Sequence, residues 1–289
     1  MPKPAETECM PQSLSFSGSG FLSVYHMGAI QALWDLAPEL LQSAPKVYGA
    51  SGGSLAAAAV VLSLNIDQVQ KTIIEAATEA SKSVLGPLQS KFNLILILQN
   101  ALRDFIPDNA HEEATGRLYI GVTRLSDGKN IMISDYKSKE EVIQAIICSC
   151  FVPIYCGLVP PSFRGVRYID GGLTSFQPRY GKTSMITVSP FSGEIDICPR
   201  DSPLCHLCLH VCNTSFQLTM ENISRMSYAL FPPPVWMLNE FFGQGYKDAA
   251  DYLQRVGINK APGQTVSVTQ QCKTGLKMKI LKAYQKKCK

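Results

Sequence analysis

The chain has 289 residues, 46% hydrophobic and 17% charged, a balance that excludes a largely disordered protein and suffices for one large core. No apolar run reaches the roughly 18 residues of a membrane span, and Pro2, Pro4, Glu6 and Glu8 stand where a secretory signal would be apolar. The net charge of +4 is unevenly spread: seven lysines and no acid lie between Lys273 and Lys289, so the remaining body is mildly acidic.

From these features a cytosolic, peripheral protein is expected. Its ten cysteines read as reduced thiols, and the sequons at Asn213 and Asn222 as silent. Residues 1–12 read as a flexible leader, 13–256 as one catalytic-sized domain and 257–289 as a basic tail. From Ser13 short strands alternate with helices, which predicts an α/β sheet covered on both faces. Ser13–Phe16 is the first strand, followed by a Gly-rich turn and an apolar-periodic helix from Leu22 to about Leu36. Lys46–Tyr48 is the second strand, leading through Gly49-Ala50-Ser51-Gly52-Gly53 into a buried helix, Ser54–Leu64. Val69, Ile73, Ile74, Ala77 and Ala80 recur at helical spacing.

Val84–Ile106 is apolar nearly all round, as a core helix would be; its functional counterpart is a lid or a wall of a binding pocket. Leu118–Thr123 and Ile131–Ser134 flank Ser126-Asp127-Gly128 and predict a hairpin. Ser138-Lys139-Glu140-Glu141 is a capping box for a helix over Val142–Ser149. Val166–Ile169 and Met185–Val188 are further strands, and two late helices, Thr219–Leu230 and Val235–Val256, are separated by Pro232-Pro233-Pro234.

The sharpest chemical signal is Gly49-x-Ser51-x-Gly53 between a strand and a helix. A serine on such a turn has its hydroxyl thrust above the sheet edge, and the helix behind it directs a positive end at any developing oxyanion. Alone the pattern is weak; the strand before it and the Ala/Val-rich helix after it give it meaning. A second glycine loop, Ser17-Gly18-Ser19-Gly20, offers backbone amides at Gly18, Ser19 and Gly20 that fit an oxyanion hole, where each donor is typically worth about 2.7–4 kcal/mol. A dinucleotide loop fails here because Ser23 replaces its third glycine and no acidic residue follows a second strand at the proper distance.

Ser51 needs a general base. Asp170, in Tyr168-Ile169-Asp170-Gly171-Gly172, lies at a strand end in an open turn and can act directly or as part of a triad with His206 or His210. Both schemes stay open on the residues alone. Cys205-His206-Leu207-Cys208-Leu209-His210-Val211-Cys212 also invites a zinc site, but ligands two apart on a strand are poorly disposed to close a tetrahedron, and a half-buried strand is the expectation.

Taken together, Ser15–Leu22, the elbow Gly49–Ser54, Cys150–Leu158, Arg164–Gly172 and Asp196–Asp201 resemble the patatin-like phospholipase family, in its animal triglyceride-lipase and adiponutrin branch. The resemblance runs from about Ser13 to Arg255. Phe21-Leu22-Ser23, Gly86-Pro87-Leu88 and Arg164–Arg167 are similar to the acylceramide-forming subgroup of that branch.

The resemblance implies a three-layer α/β/α fold with a mostly parallel central sheet. It implies a Ser51–Asp170 dyad without a catalytic histidine, an oxyanion loop at Gly18, Ser19 and Gly20, and no metal or diffusible cofactor. Ser23 stands where the family usually has glycine and Gly52 where it commonly has alanine, so a looser elbow is expected.

The function so implied is cleavage of lipid esters such as triacylglycerol, with transfer of the acyl chain to water or to a lipid alcohol such as ω-hydroxyceramide. Implied partners are the lipid ester, a lipid-droplet or membrane surface and an α/β-hydrolase-domain co-activator protein, with no nucleic acid. A lipid-surface protein that turns over poorly and sequesters such a co-activator is the alternative. The tail sets Leu276, Ile280, Leu281 and Tyr284 at helical spacing among its lysines, the pattern of a basic amphipathic helix on an anionic surface.

Overall fold

The computed structural model describes residues 12–82, 93–180, 184–201 and 207–258. The basic tail from residue 259 and the leader up to residue 11 lie outside the described residues, as do His206 and residues 83–92.

Strands β1 (Ser13–Phe16) and β2 (Val47–Ala50) are buried at every position. Successive side chains of a strand point to opposite faces, so complete burial means that both faces of the sheet are covered here. β3 (Leu118–Arg124) pairs parallel with β2, β2 with β1, and β1 with β7 (Met185–Val188). The predicted hairpin forms from β3 and β4 (Asn130–Ile133), which pair antiparallel. β5 (Ser162–Phe163) and β6 (Val166–Asp170) complete a seven-stranded sheet at its antiparallel margin. Among the described residues no helix is long and apolar enough to cross a membrane.

The helices follow the predicted periodicity with shifted ends. A 3-10 turn at Gly20–Leu22 precedes α1 (Ser23–Leu36), and a short α2 (Pro38–Ser43) opens on proline, whose fixed φ suits a first helical position. The helix α3 (Gly52–Val61) begins two residues earlier than expected, directly behind Ser51. In α4 (Ile66–Ala80) the Asn65 side chain caps the Gln68 amide, and in α5 (Leu94–Phe105) Asn93 caps Leu96. After a short α6 (Ala110–Ala114), α7 (Lys139–Cys150) starts at Ser138, which caps Glu141 as the box predicts, while the Glu141 carboxylate reaches back one residue further, to the Lys137 amide.

Helices α8 (Met220–Leu230) and α9 (Val235–Arg255) flank the proline run, and α9 packs along α1. Two expectations are corrected. In α5 only Leu102 is buried, so this is an amphipathic helix at the edge of the body rather than a core helix. The segment at Cys208 is not half-buried: it forms β8 (Cys208–Val211), which among the described residues pairs with β9 (Thr214–Gln217) in a separate hairpin and leaves Leu209, His210 and Val211 exposed.

Candidate active site

The register of β3 explains how residues 119 positions apart meet. Gly121 pairs with Met132 on one side and Ala50 on the other, while Val122 pairs with Ile131 and Asp170. A strand has two edges and β4 occupies one, so β2 and β6 share the other. β2 runs up to Ala50 and leaves, and β6, antiparallel, arrives at the next position with Asp170.

Ser51 therefore turns off beside Asp170, and its Oγ donates to Asp170 Oδ2 at 2.6 Å. Its own backbone sits at φ 53°, the strained region expected of a serine forced through a strand-to-helix turn.

Both motif glycines are required by contact. A β-carbon on Gly49 would lie 2.1 Å from the Gly53 carbonyl oxygen, and one on Gly53 would lie 2.3 Å from that of Ser17. Three hydroxyls hold the frame. The Ser51 amide donates to Ser149 Oγ at 2.9 Å, Ser149 Oγ donates to the Gly121 carbonyl, and Ser54 Oγ donates to the Ser51 carbonyl. Ser149, at the end of α7, carries no motif in the sequence and was not foreseen.

Asp170 is fixed at every polar atom. Its amide donates to Phe151, its carbonyl accepts from Thr123 Oγ1, and Oδ1 accepts from the Gly172 amide at 2.7 Å. Burial pushes its carboxyl up to about 6, against the lowering effect of the Ser51 hydroxyl and the Gly172 amide. It is thus a carboxylate at neutral pH with a raised appetite for a proton.

The three residues expected to donate to an oxyanion divide. The Gly18 amide already donates to the Phe176 carbonyl at 2.8 Å, so it is committed to structure. Ser19 and Gly20 line the cavity at Ser51.

The elbow is not loosened by Gly52. A β-carbon there would fall 2.2 Å from Ser23 Oγ and 2.5 Å from Ser19 Oγ, two hydroxyls that are themselves 2.8 Å apart. Ser23 Oγ also donates to the Gly20 carbonyl, pinning the loop. The Ser23 side chain fills the space that an alanine at position 52 would need.

No histidine lines the cavity among the described residues. His210 pairs with Glu194 at 3.2 Å, and His26 is buried against the Ser17 carbonyl, where burial lowers its imidazole to about 4. Among the described residues no cluster of three metal-ligating side chains exists. The cavity of about 370 Å³ runs from Ser51 and Asp170 between apolar walls: Val69 and Ile73 from α4, Ile97 and Leu98 from α5, and Met226 and Leu230 from α8.

A half-buried hydroxyl bonded to a buried carboxylate on a strand–turn–helix elbow, at the end of an apolar cavity, is the geometry of the family suggested by the motifs, and the profile described as patatin-like phospholipase matches residues 14–179. This chain belongs to the patatin-like phospholipase family.

Its relatives include the human omega-hydroxyceramide transacylase, 46% identical over 246 residues that make up 85% of this chain and 46% of that protein. Human patatin-like phospholipase domain-containing protein 2 is 46% identical over 256 residues, 89% of this chain and 51% of that protein. A mouse 1-acylglycerol-3-phosphate O-acyltransferase is 39% identical over 257 residues, 89% of this chain and 62% of that protein. The chain thus spans about half the length of the curated relatives it matches. The patatin-like α/β fold with its mostly parallel central sheet agrees with the sequence expectation.

Proposed function

We propose that this patatin-like chain is a serine lipid acyl hydrolase or transacylase, with Ser51 as nucleophile and Asp170 as its only base. The observation that carries the reading is the 2.6 Å contact between Ser51 Oγ and Asp170 Oδ2 at the end of the apolar cavity. As Ser51 Oγ attacks an ester carbonyl, its proton passes to Asp170. The amides of Ser19 and Gly20, residues that line the cavity at Ser51, and the positive end of α3 stabilise the charge that develops on the carbonyl oxygen.

Asp170 then returns the proton to the departing alcohol, leaving a Ser51 acyl ester. Water, or a lipid alcohol, attacks that ester while Asp170 takes the incoming proton, and Ser51 is released as hydroxyl. A chemistry without histidine is supported by the raised carboxyl of Asp170, which narrows the gap to the Ser51 hydroxyl whose proton it takes.

The lipid ester class is read from the cavity walls. An alcohol acceptor such as ω-hydroxyceramide is read from the likeness to the transacylase, and water from the lipase-type reading of the same site. The test is mass spectrometry of products formed by purified protein from triacylglycerol, phospholipid and an ω-hydroxylated ceramide. Ser51→Ala is expected to lose product by on the order of 10⁴ or more, and a fluorophosphonate probe to label Ser51. Unlabelled, inert protein with an intact fold overturns the enzyme reading.

A further inference from the structure

Between the two glycine-bearing turns of the site sits one aromatic ring. A β-carbon on Gly18 would lie 2.8 Å from Phe176 Cε2, and one on Gly172 would lie 3.4 Å from Phe176 Cδ2. The same position on Gly172 is 3.0 Å from Asp170 Oδ1, so the edge of the ring lies close beside the base. Phe176 lines the cavity together with Ser51 and Asp170.

Its backbone is fixed on both sides. The amide donates to the Cys212 carbonyl at 2.7 Å, and the carbonyl accepts from the Gly18 amide. Two further rings hold the side chain, Phe191 at 5.6 Å and Phe216 of β9 at 5.2 Å between centroids. Neither backbone bond depends on the Phe176 side chain.

The other hydroxyls of the cavity wall already spend their hydrogens on the protein. Ser23 donates to the Gly20 carbonyl and Ser19 in turn to Ser23, while Thr72 donates to the Gln68 carbonyl and Tyr155 to that of Leu230. In an acyl-enzyme Ser51 has no hydrogen left to give, and Asp170 Oδ2 is free to accept from the incoming group. An alcohol brings one O–H, which Asp170 takes, and an alkyl stem that packs on the ring. A water brings a second O–H, and beside ring carbons that hydrogen goes unpaired at a cost.

We propose that Phe176 selects the acyl acceptor: its ring, wedged between the Gly18–Gly20 loop and the turn of Asp170, keeps the dyad dry and directs the acyl chain to alcohols with an apolar stem in preference to water. This selection rests on the acyl-enzyme reading of Ser51. The step balances as an ester exchange. The alcohol oxygen bonds to the acyl carbon and its proton passes to Asp170; the bond from that carbon to Ser51 Oγ breaks, and Asp170 returns the proton to Oγ.

Dryness also acts on Asp170 itself, since burial is what raises its carboxyl to about 6. The titratable groups beside it are the Cys150 thiol at the end of α7 and the Cys156 thiol of the following loop. Burial raises both, Cys156 to about 11, so neither is charged while Asp170 titrates.

The experiment gives the full chain p-nitrophenyl octanoate and 1-hexanol in buffer. Hexyl octanoate is measured against octanoic acid by gas chromatography, with nitrophenol release as the measure of acylation. The parent is expected to form more hexyl ester than the molar ratio of hexanol to water would give. Phe176→Ser is expected to lower the ester-to-acid ratio by about tenfold, the weight of one hydrogen bond returned to the water. Its acid limb of nitrophenol release is expected to move from about 6 toward the ordinary carboxylate range, because water then reaches Asp170. Phe176→Leu, which keeps an apolar side chain, is expected to retain most of the parent ratio. The ratio is taken within each protein, so a change in total turnover does not enter it.

Phe176→Gln carries the same test should Phe176→Ser not fold, and the parent's own product ratio needs no variant. A polar variant with the parent's ratio, an acid limb that stays in place, or parent products that follow the molar ratio overturns the proposal. Ser51→Ala separates the two readings. A parent whose nitrophenol release is lost in Ser51→Ala, yet which yields acid alone, keeps its nucleophile and loses the acceptor role of Phe176; a parent that releases no nitrophenol loses both.

Discussion

Asp170 carries a pH signature. Only its ionised form can accept the Ser51 proton, and burial holds its carboxyl at about 6. The initial-rate profile of kcat/KM is therefore expected to be flat above that value and to fall about tenfold per pH unit below it. The stability effect has the opposite sense. A folded value above the roughly 3.9 of an unfolded aspartate means that the native state favours the proton; this contribution is fully present below about pH 4 and is lost as pH rises through 6. Keeping the carboxylate ionised at pH 8 then costs up to about 3 kcal/mol, and Asp170→Asn is expected to raise Tm while abolishing turnover.

At the neighbouring loop, Gly52→Ala drives a methyl into Ser23 and Ser19. It is expected to cost about 1–3 kcal/mol and to lower kcat by disturbing the Gly20 amide. Adding Ser23→Gly empties the space and should recover most of both losses, a coupling that a double-mutant cycle on Tm and kcat measures. Independent effects that simply add would contradict the contact.

Among the elements, α5 forms one wall of the cavity, which under the proposed function limits how far an acyl chain can reach. Leu94, Ile97, Leu98 and Phe105 face the cavity from it, opposite Val69, Ile73 and Ala76 of α4. Leu98→Trp is expected to shift the preferred p-nitrophenyl ester toward shorter chains, lowering kcat/KM for palmitate at least tenfold and sparing butyrate. Equal losses on both esters would place the cavity's acyl arm elsewhere.

The sequence could not separate this wall from a core helix, because an apolar cavity and a packed core call for the same apolar side chains. Where a pattern depends on local geometry alone, it was legible: the elbow at Ser51, the cap at Ser138 and the turn at Ser126-Asp127-Gly128 all form near their predicted places. What depends on distant partners was not. The exposed setting of Leu209 and Val211 follows from a hairpin lying off the main sheet. The role of Ser149 follows from α7 ending beside residue 51, 98 positions away. The two-residue advance of α3 reflects the same tertiary control, since Gly52 and Gly53 are poor helix formers held by the loop in front of them.

For the molecule as a whole, the matched family region ends at residue 179, yet the site is not complete there. Strand β7 closes the free edge of β1, α8 supplies Met226, Ala229 and Leu230 to the cavity, and a β-carbon on Gly20 would meet the Ala229 carbonyl at 2.0 Å, so the loop at Gly18–Gly20 is shaped against α8. Helix α9 then covers α1, the helix that rises from that loop. Leu238, Ala249 and Leu253 are buried against the core, and Tyr25 donates to Asp248 at 2.7 Å in the interior, where burial raises the carboxyl of Asp248.

Stability is thus expected to depend on α9 as strongly as on any part of the sheet. A chain ending after residue 258 keeps all these contacts and should melt cooperatively and hydrolyse p-nitrophenyl butyrate. A chain ending at residue 234 uncovers Tyr25, Gly28 and Ala29 of α1, strands the Tyr25 hydroxyl, and should be recovered only as aggregate. Leu253→Ala grades the same effect, with an expected loss of about 2–5 kcal/mol in denaturant unfolding. A folded, active product from the 234-residue chain would show that α1 needs no cover from α9, and that the closure of the fold lies within its first 234 residues.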